Sequence, residues 1–168
     1  LEEPRELVVR NKKSVGKQSE IGTDAAAVRV ALKNALRQAQ VVILIGEIRD
    51  RETMSAALSN AKSGHLVLAT MHASNSYQAL TRILSFYPVE VRPSLLGDLA
   101  SGLRAVISQR LLRTVNGARV PAVEVLLNTK LVAELMEQGN FSAVRDAMVN
   151  SIAEGSQTFE AAIATLVT

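Results

Sequence analysis

The chain has 168 residues, 48% of them hydrophobic and 21% charged, so it is long enough and apolar enough to bury a core. It contains no cysteine, which excludes disulfides, zinc–cysteine sites and thiol catalysis. Its net charge of +3 arises in residues 1–37, which hold eight Lys or Arg against five Asp or Glu. With two Tyr, three Phe and no Trp, the chain lacks the stacking platforms of nucleic-acid binders, and we expect no nucleic-acid partner.

The sequence also lacks the marks of a membrane-inserted protein. No apolar run reaches the roughly 18 residues that a membrane span needs. The first residues are too charged for a signal peptide. We therefore expect a soluble, cytoplasmic chain without direct membrane insertion.

Helix-like and strand-like segments alternate in the first half of the sequence. A helix is expected over residues 24–39, and five consecutive apolar residues follow at 41–45, a run typical of a parallel strand buried on both faces. A second helix is predicted after Asp50, a second buried strand over residues 65–70, and a third helix capped by Ser74. This order predicts an α/β fold with a parallel sheet.

The pattern changes near residue 88, which divides the chain into predicted domains of residues 1–88 and 89–168. A helix of about 15 residues is predicted after Pro93 from its apolar spacing. Leu103 and Val106 are expected on the core side of this helix, together with the leucines that precede them.

A β-hairpin is predicted next. Its strands are expected over residues 109–114 and 120–127, because an Asn-Gly pair at 116–117 between apolar segments is a strong hairpin signal. Residues 130–167 are expected to form three short amphipathic helices. The second domain is therefore predicted to be mostly helical.

Two side chains follow the predicted strands at their carboxyl ends, where ligands of open α/β sheets bind. Glu47 follows the first strand and His72 the second. A carboxylate fixed at this edge can orient a water molecule for attack on a phosphoryl group, and Gly46 lets the backbone approach a ligand closely. A loop charge or helix cap remains the alternative for Glu47, and a structural role remains the alternative for His72. His65 begins the second strand at the opposite edge, where a structural role is favoured.

A nucleotide-hydrolysing enzyme also needs a phosphate-binding loop of the form G-x-x-x-x-G-K-[ST]. Residues 1–168 contain no such motif, since Gly16-Lys17 is followed by Gln18 and has Asn11 in place of the first glycine. The charged residues 49–52 (RDRE) are most simply a capped first helical turn with surface ion pairs.

Three runs of the sequence resemble motifs of the secretion-superfamily ATPases, the hexameric motors of type IV pili and type II secretion. Residues 41–50 (VVILIGEIRD) resemble their atypical Walker B motif, residues 64–72 (GHLVLATMH) their His box, and residues 1–4 (LEEP) the end of their Asp box. The resemblance is greatest to the pilus-retraction ATPases of the PilT/PilU type and extends over essentially the whole chain. Type II secretion ATPases usually carry a four-cysteine metal insert, which this cysteine-free chain lacks. Supporting runs lie at residues 31–38, 107–111 and 123–129.

The resemblance implies part of a RecA-like P-loop NTPase core, followed by a mostly helical C-terminal region with a hairpin. It implies that Glu47 polarises the attacking water, that Glu2 or Glu3 acts near Mg²⁺, and that His72 senses the γ-phosphate. Glu3 and Glu47 are the implied metal ligands. The implied nucleotide-binding positions are Gly46, Glu47, His65 and His72.

The resemblance further implies ATP and Mg²⁺ as cofactors and a homo-hexamer, or an assembly with a partner retraction ATPase. This motor would act with a pilus platform protein at the cytoplasmic face of the bacterial inner membrane. Relatives usually carry arginines where Ser19 and Thr23 stand, and Arg10 or Arg29 remain open as substitutes.

The family's phosphate loop is expected to precede residue 1. By itself the chain is therefore expected to be inactive, although the family that it resembles is one of ATPases. The alternative hypothesis is a non-catalytic binding or assembly module of a type IV pilus or type II secretion system.

Overall fold

The computed structural model describes residues 42–150 and 154–167, together with Arg10, Asn11, Lys13, Val15, Gly16, Gln18 and Val30. The helix predicted over residues 24–39 lies outside the described residues except for Val30, which is helical. The chain forms two compact units, a first unit, Leu1–Met71, and a second unit, His72–Thr168. The domain boundary predicted at residue 88 stays a prediction.

The first unit contains a two-stranded parallel sheet. Strand β1 (Val42–Ile45) is followed by helix α1 (Arg51–Lys62) and strand β2 (Leu66–Ala69). The strands pair in parallel, with Val42 opposite Leu66 and Ile45 opposite Ala69. A parallel pair needs a crossover connection, and α1 supplies it. The predicted parallel strands and the helix between them are confirmed.

The prediction that both strands are buried on both faces is wrong. In β1, Ile43 and Ile45 are buried, but Val42 and Leu44 are 51% and 50% exposed. In β2, Leu66 and Leu68 are also about half exposed. Helix α1 contacts β2, and a crossover helix covers only one face of its sheet. The opposite face is therefore a half-exposed apolar surface.

Helix α1 begins where its capping signal predicts. The Asp50 side chain accepts a hydrogen bond from the backbone N–H of Thr53 at 2.8 Å, which caps the helix start. The helix ends before Ser63, and Gly64 has a φ of +93°, a conformation that glycine adopts without strain. The capped-turn interpretation of residues 49–52 is confirmed for Asp50.

The second unit combines an antiparallel hairpin with helices. Its elements in chain order are α2 (Ser76–Ser85), a 3₁₀ turn (Val89–Val91), α3 (Arg92–Gly102), β3 (Ala105–Arg113), β4 (Arg119–Leu127), α4 (Lys130–Glu137), a second 3₁₀ turn (Phe141–Ala143), α5 (Val144–Asn150) and α6 (Phe159–Val167). The hairpin is confirmed, with longer strands than predicted, and Gly117 has a φ of +78° in its turn. The three short helices after residue 130 are also confirmed.

Two predicted helix boundaries are wrong. Asn75, not Ser74, caps α2, because its side chain accepts from the backbone N–H of Gln78 at 2.9 Å. Helix α3 ends at Gly102, so Leu103 is extended and Val106 lies in β3. The Asn128 amide donates to the carbonyls of Ala100 and Leu103 at 2.8 and 2.9 Å, which satisfies the end of the helix.

The core of the second unit lies between the hairpin and the helices. Its buried residues are Leu80, Ala100, Leu126, Val132, Met136, Phe141, Val144, Ala147 and Met148. A smaller cluster joins Ala122 of β4 to Phe159 and Ala162 of α6. Among the helices that the structure describes, none has the length and apolar character required to cross a bilayer.

Candidate functional site

Glu47 lies on the loop that follows β1. Its side chain is 19% exposed, and its Oε2 accepts from Arg49 Nε at 2.7 Å and Nη2 at 2.6 Å. A guanidinium that donates through two nitrogens restricts the rotation of a carboxylate more than a single contact does. The Glu47 carboxylate, which the sequence selects as a candidate, is therefore partly buried and oriented by Arg49.

Thr70 fixes this loop at the carboxyl edge of the sheet. Its hydroxyl donates to the Gly46 carbonyl. Its carbonyl accepts from the backbone N–H of Ile48 at 2.9 Å, and its own N–H donates to the Ile45 carbonyl at 3.4 Å. The backbone on both sides of Glu47 is consequently bound to the residue that follows β2. Sequence reasoning missed Thr70, although a hydroxyl residue directly after β2 and opposite Gly46 was a usable signal.

His65 lies at the amino end of β2, at the edge opposite Glu47, as its sequence position predicts. Its backbone N–H donates to the Asn60 carbonyl at 3.2 Å, and its Nδ1 lies at the same distance from that oxygen. The structure therefore does not bring His65 together with Glu47. Its contacts join the end of α1 to the start of β2, and its role in nucleotide binding stays a prediction.

His72 opens the second unit and is exposed. Two residues later the Ser74 carbonyl accepts from Arg110, and Ser76 at the start of α2 bonds to Glu124. The convergence of Glu47 and His72 stays a prediction. Glu2, Glu3, Ser19, Thr23 and Arg29 lie outside the described residues, whereas Arg10 is described and exposed.

The described residues include no group of three or more His, Cys, Asp or Glu that could hold a metal ion. Mg²⁺ in phosphoryl-transfer sites usually takes one or two protein carboxylates and completes its shell with phosphate oxygens and water. Glu47 fits such a role as a single carboxylate. Asp50 instead caps α1, and its two oxygens accept from the backbone N–H and the hydroxyl of Thr53.

The sequence matches the family described as Type II/IV secretion system protein over residues 1–159. This chain belongs to the type II/IV secretion system protein family. It is 43% identical to the Type IV pilus ATPase PilU of Pseudomonas aeruginosa over 169 residues, which cover 100% of this chain and 44% of PilU. It is 32% identical to the retraction ATPase PilT of the same organism, over 99% of this chain and 48% of PilT.

The fold of this chain also matches that of a solved structure. A crystal structure of the pilus retraction motor PilT with bound ADP matches with a TM-score of 0.80 and 33% identity, over 96% of this chain and 50% of that one. The expected α/β fold with a parallel sheet and a helical region is confirmed, and so is the family resemblance drawn from the motif-like runs. The chain spans about half the length of these relatives.

Proposed function

We propose that this chain is the part of a hexameric ATPase motor that carries the catalytic acid, and that the motor powers type IV pilus retraction in twitching motility. The observation that carries the proposal is Glu47, held at the carboxyl edge of a parallel sheet by the Thr70 contacts and by Arg49. The 43% identity to a type IV pilus ATPase over the full chain supports it.

In this proposal Glu47 orients the water that attacks the γ-phosphate. Phosphoryl transfer demands little covalent chemistry from the protein, so positioning and charge stabilisation provide most of the rate enhancement. The loop around Glu47 suits positioning because its backbone is bonded on both sides, which limits the movement of the carboxylate. Arg49 sets the direction of that carboxylate.

The same proposal assigns Mg²⁺ and ATP to this edge. Mg²⁺ supplies charge neutralisation of the phosphates when it is bound. Glu47 would hold it together with Glu3, while Glu2 or Glu3 would act as the Asp-box acid. His72 would sense the γ-phosphate, and Gly46 would contact the nucleotide. The predicted nucleotide contact of His65 is not part of this proposal, because His65 lies at the opposite edge of the sheet.

We further propose that the motor is a homo-hexamer or assembles with a partner retraction ATPase. It would act with a platform protein at the cytoplasmic face of the inner membrane. The support for this part is the PilU and PilT relatives, which are named as pilus ATPases.

The decisive experiment is Glu47→Gln in a protein in which the upstream half of a retraction ATPase precedes residue 1. Glutamine keeps the size of the side chain but cannot accept the proton of water, so ATP turnover should fall by roughly 100- to 10,000-fold. Glu52→Gln is the matched control, because Glu52 is exposed in the first turn of α1 and should leave turnover unchanged. Unchanged turnover in Glu47→Gln would exclude the proposed role.

A measurement on the 168-residue chain alone addresses the alternative of a binding or assembly module. We expect no ATP hydrolysis and very weak nucleotide binding, because no phosphate-loop motif occurs in these residues. Isothermal titration calorimetry with Mg-ATP tests this expectation. Sub-micromolar affinity would contradict it. If the longer protein binds ATP and assembles without hydrolysing it, the non-catalytic alternative is favoured.

A further inference from the structure

A buried carboxylate of the hairpin holds the start of α2. Glu124 on β4 is 8% exposed, and its Oε1 accepts from both the backbone N–H and the hydroxyl of Ser76, each at 2.7 Å. Ser76 is completely buried. Hydrogen bonds to an ionised acceptor are shorter and stronger than neutral ones, particularly where water is excluded. The first residue of α2 is therefore fixed to β4.

A second hairpin side chain holds the residues just before α2. Arg110 on β3 donates to the Ser74 carbonyl through Nε at 3.2 Å and Nη2 at 3.0 Å. Its guanidinium lies 4.3 Å from the centroid of the Phe159 ring in α6, within the range of a cation–π interaction. Arg110 and Glu124 lie on the same face of the hairpin, because Ser108 pairs with Glu124 and residues two apart share a face.

Helix capping alone does not explain these contacts. Asn75 already caps α2 through the backbone N–H of Gln78. Removing a carboxylate from water costs free energy, and an apolar residue facing the core at position 124 would avoid that cost. Glu124 and Arg110 additionally fix the location of residues 74–76 against the hairpin. This segment begins two residues after His72.

We propose that Glu124 and Arg110 are positioning residues that hold the chain segment carrying His72. His72 lies two residues before the Ser74 carbonyl that Arg110 binds and four before the Ser76 that Glu124 binds. Arg110 and Glu124 are the two anchors of residues 74–76. With both anchors in place, few rotatable backbone bonds separate the imidazole of His72 from the hairpin. The contacts of Glu124 and Arg110 support the fixing of this segment. Its effect on catalysis rests on the proposed function, in which His72 senses the γ-phosphate.

The test uses the longer protein with the upstream half in place and compares Glu124→Ala with Glu124→Gln. Hydrogen exchange, read by mass spectrometry on peptides covering residues 72–78, should accelerate about tenfold or more in Glu124→Ala, the loss expected for charge-assisted hydrogen bonds. Glu124→Gln retains an acceptor oxygen in the same place and should stay within about threefold of the parent protein. Glu134→Ala, an exposed position on α4, is the control and should leave this peptide unchanged.

The kinetic measurement separates positioning from general damage to the fold. Glu124→Ala should lower kcat for ATP by about tenfold while KM stays within about twofold, since a displaced sensor of the γ-phosphate affects the transition state more than binding. Glu124→Gln should recover most of kcat. A loss of fold would instead reduce the active fraction in both variants without rescue by glutamine.

Arg110→Met keeps the inference testable if Glu124→Ala does not fold, because Arg110 is exposed and its replacement leaves the buried core intact. It should accelerate exchange at residues 72–76, whereas Arg113→Met, an exposed position at the end of β3, should not. Unchanged exchange in both Glu124→Ala and Arg110→Met would overturn the inference. Accelerated exchange with unchanged kcat would overturn its catalytic part. If Glu47→Gln leaves turnover unchanged, the proposed function fails, and the exchange experiment still decides whether the segment is held.

Discussion

The two units of the chain stabilise their candidate functional residues in different ways. In the first unit, Glu47 lies on a loop held by backbone hydrogen bonds to Thr70, beside a sheet with one half-exposed apolar face. In the second unit, the segment after His72 is held by side chains of a hairpin that packs on a buried core. Precise placement of a side chain thus arises from strand pairing in one unit and from tertiary packing in the other.

The largest difference between the units should appear when one leucine is truncated in each. Leu126 of the second unit is 1% exposed, and Leu126→Ala should lower the free energy of unfolding by about 2–5 kcal/mol. Leu44 of the first unit is 50% exposed, and Leu44→Ala should cost less than about 1.5 kcal/mol because water already reaches half of the side chain. Urea denaturation of the 168-residue chain measures both.

The same two variants can be measured in a longer protein. If further chain covers the apolar face of β1 and β2, Leu44→Ala should become about as costly as Leu126→Ala there. Equal costs in the 168-residue chain would contradict the difference that we describe between the two units.

A smaller effect is expected at the helix caps. Asp50→Ala should destabilise α1 by about 0.5–2 kcal/mol, the usual loss for a capping side chain. Asn75→Ala should affect the start of α2 less, because Glu124 still binds Ser76. Hydrogen exchange of residues 51–54 and 76–79 measures the two losses separately. A larger loss at α2 than at α1 would show that Glu124 does not support the helix start.

The smallest effect is a pH dependence at Glu160 in the second unit. A hydrogen bond from its own backbone N–H lowers the pKa of this carboxyl, and Arg145, 2.6 Å away, acts in the same direction. Because the folded pKa lies below the ordinary value, this stabilisation is complete above the ordinary pKa and is lost as pH falls through the folded pKa. The pair is exposed to solvent, so the contribution should stay below about 1 kcal/mol.

Thermal unfolding of the parent chain and Glu160→Gln checks this pH dependence. The parent should be the more stable protein at neutral pH, and the difference should shrink as the carboxyl is protonated in acid. If the stability difference between the two proteins grows in acid, the pKa of Glu160 is raised in the folded state and not lowered.

Much of the fold was predictable because it is encoded locally. The apolar run at residues 41–45 and the Asp50 cap correctly indicated a parallel strand and the start of α1. The burial of β1 was not predictable, because an apolar run does not reveal which of its faces is covered. The end of α3 was also missed, since the apolar spacing continues to Val106 and the Asn128 contacts that terminate the helix come from distant sequence.

The residues discussed for the candidate site also differ in whether a local sequence signal indicates them. Glu47 was selected as a candidate from its position two residues after a strand, a purely local signal. Glu124 was not, because it lies within an apolar strand and its partner Ser76 is 48 residues away in sequence. A buried acid at a core-facing strand position has no local signature that separates it from an acid on the solvent face. Long-range hydrogen bonds of this kind emerge only when the chain is folded.

The antiparallel bridge between Val125 and Gln157 links the residues just before α6 to β4. Each residue donates its N–H to the carbonyl of the other at 2.8 Å, directly beside Glu124. Phe159, two residues after Gln157, supplies the ring beneath Arg110. A molecule that pulled α6 away would therefore disturb both anchors of residues 74–76 at once. The position of α6 therefore affects the segment that follows His72, although α6 lies more than 80 residues further along the chain.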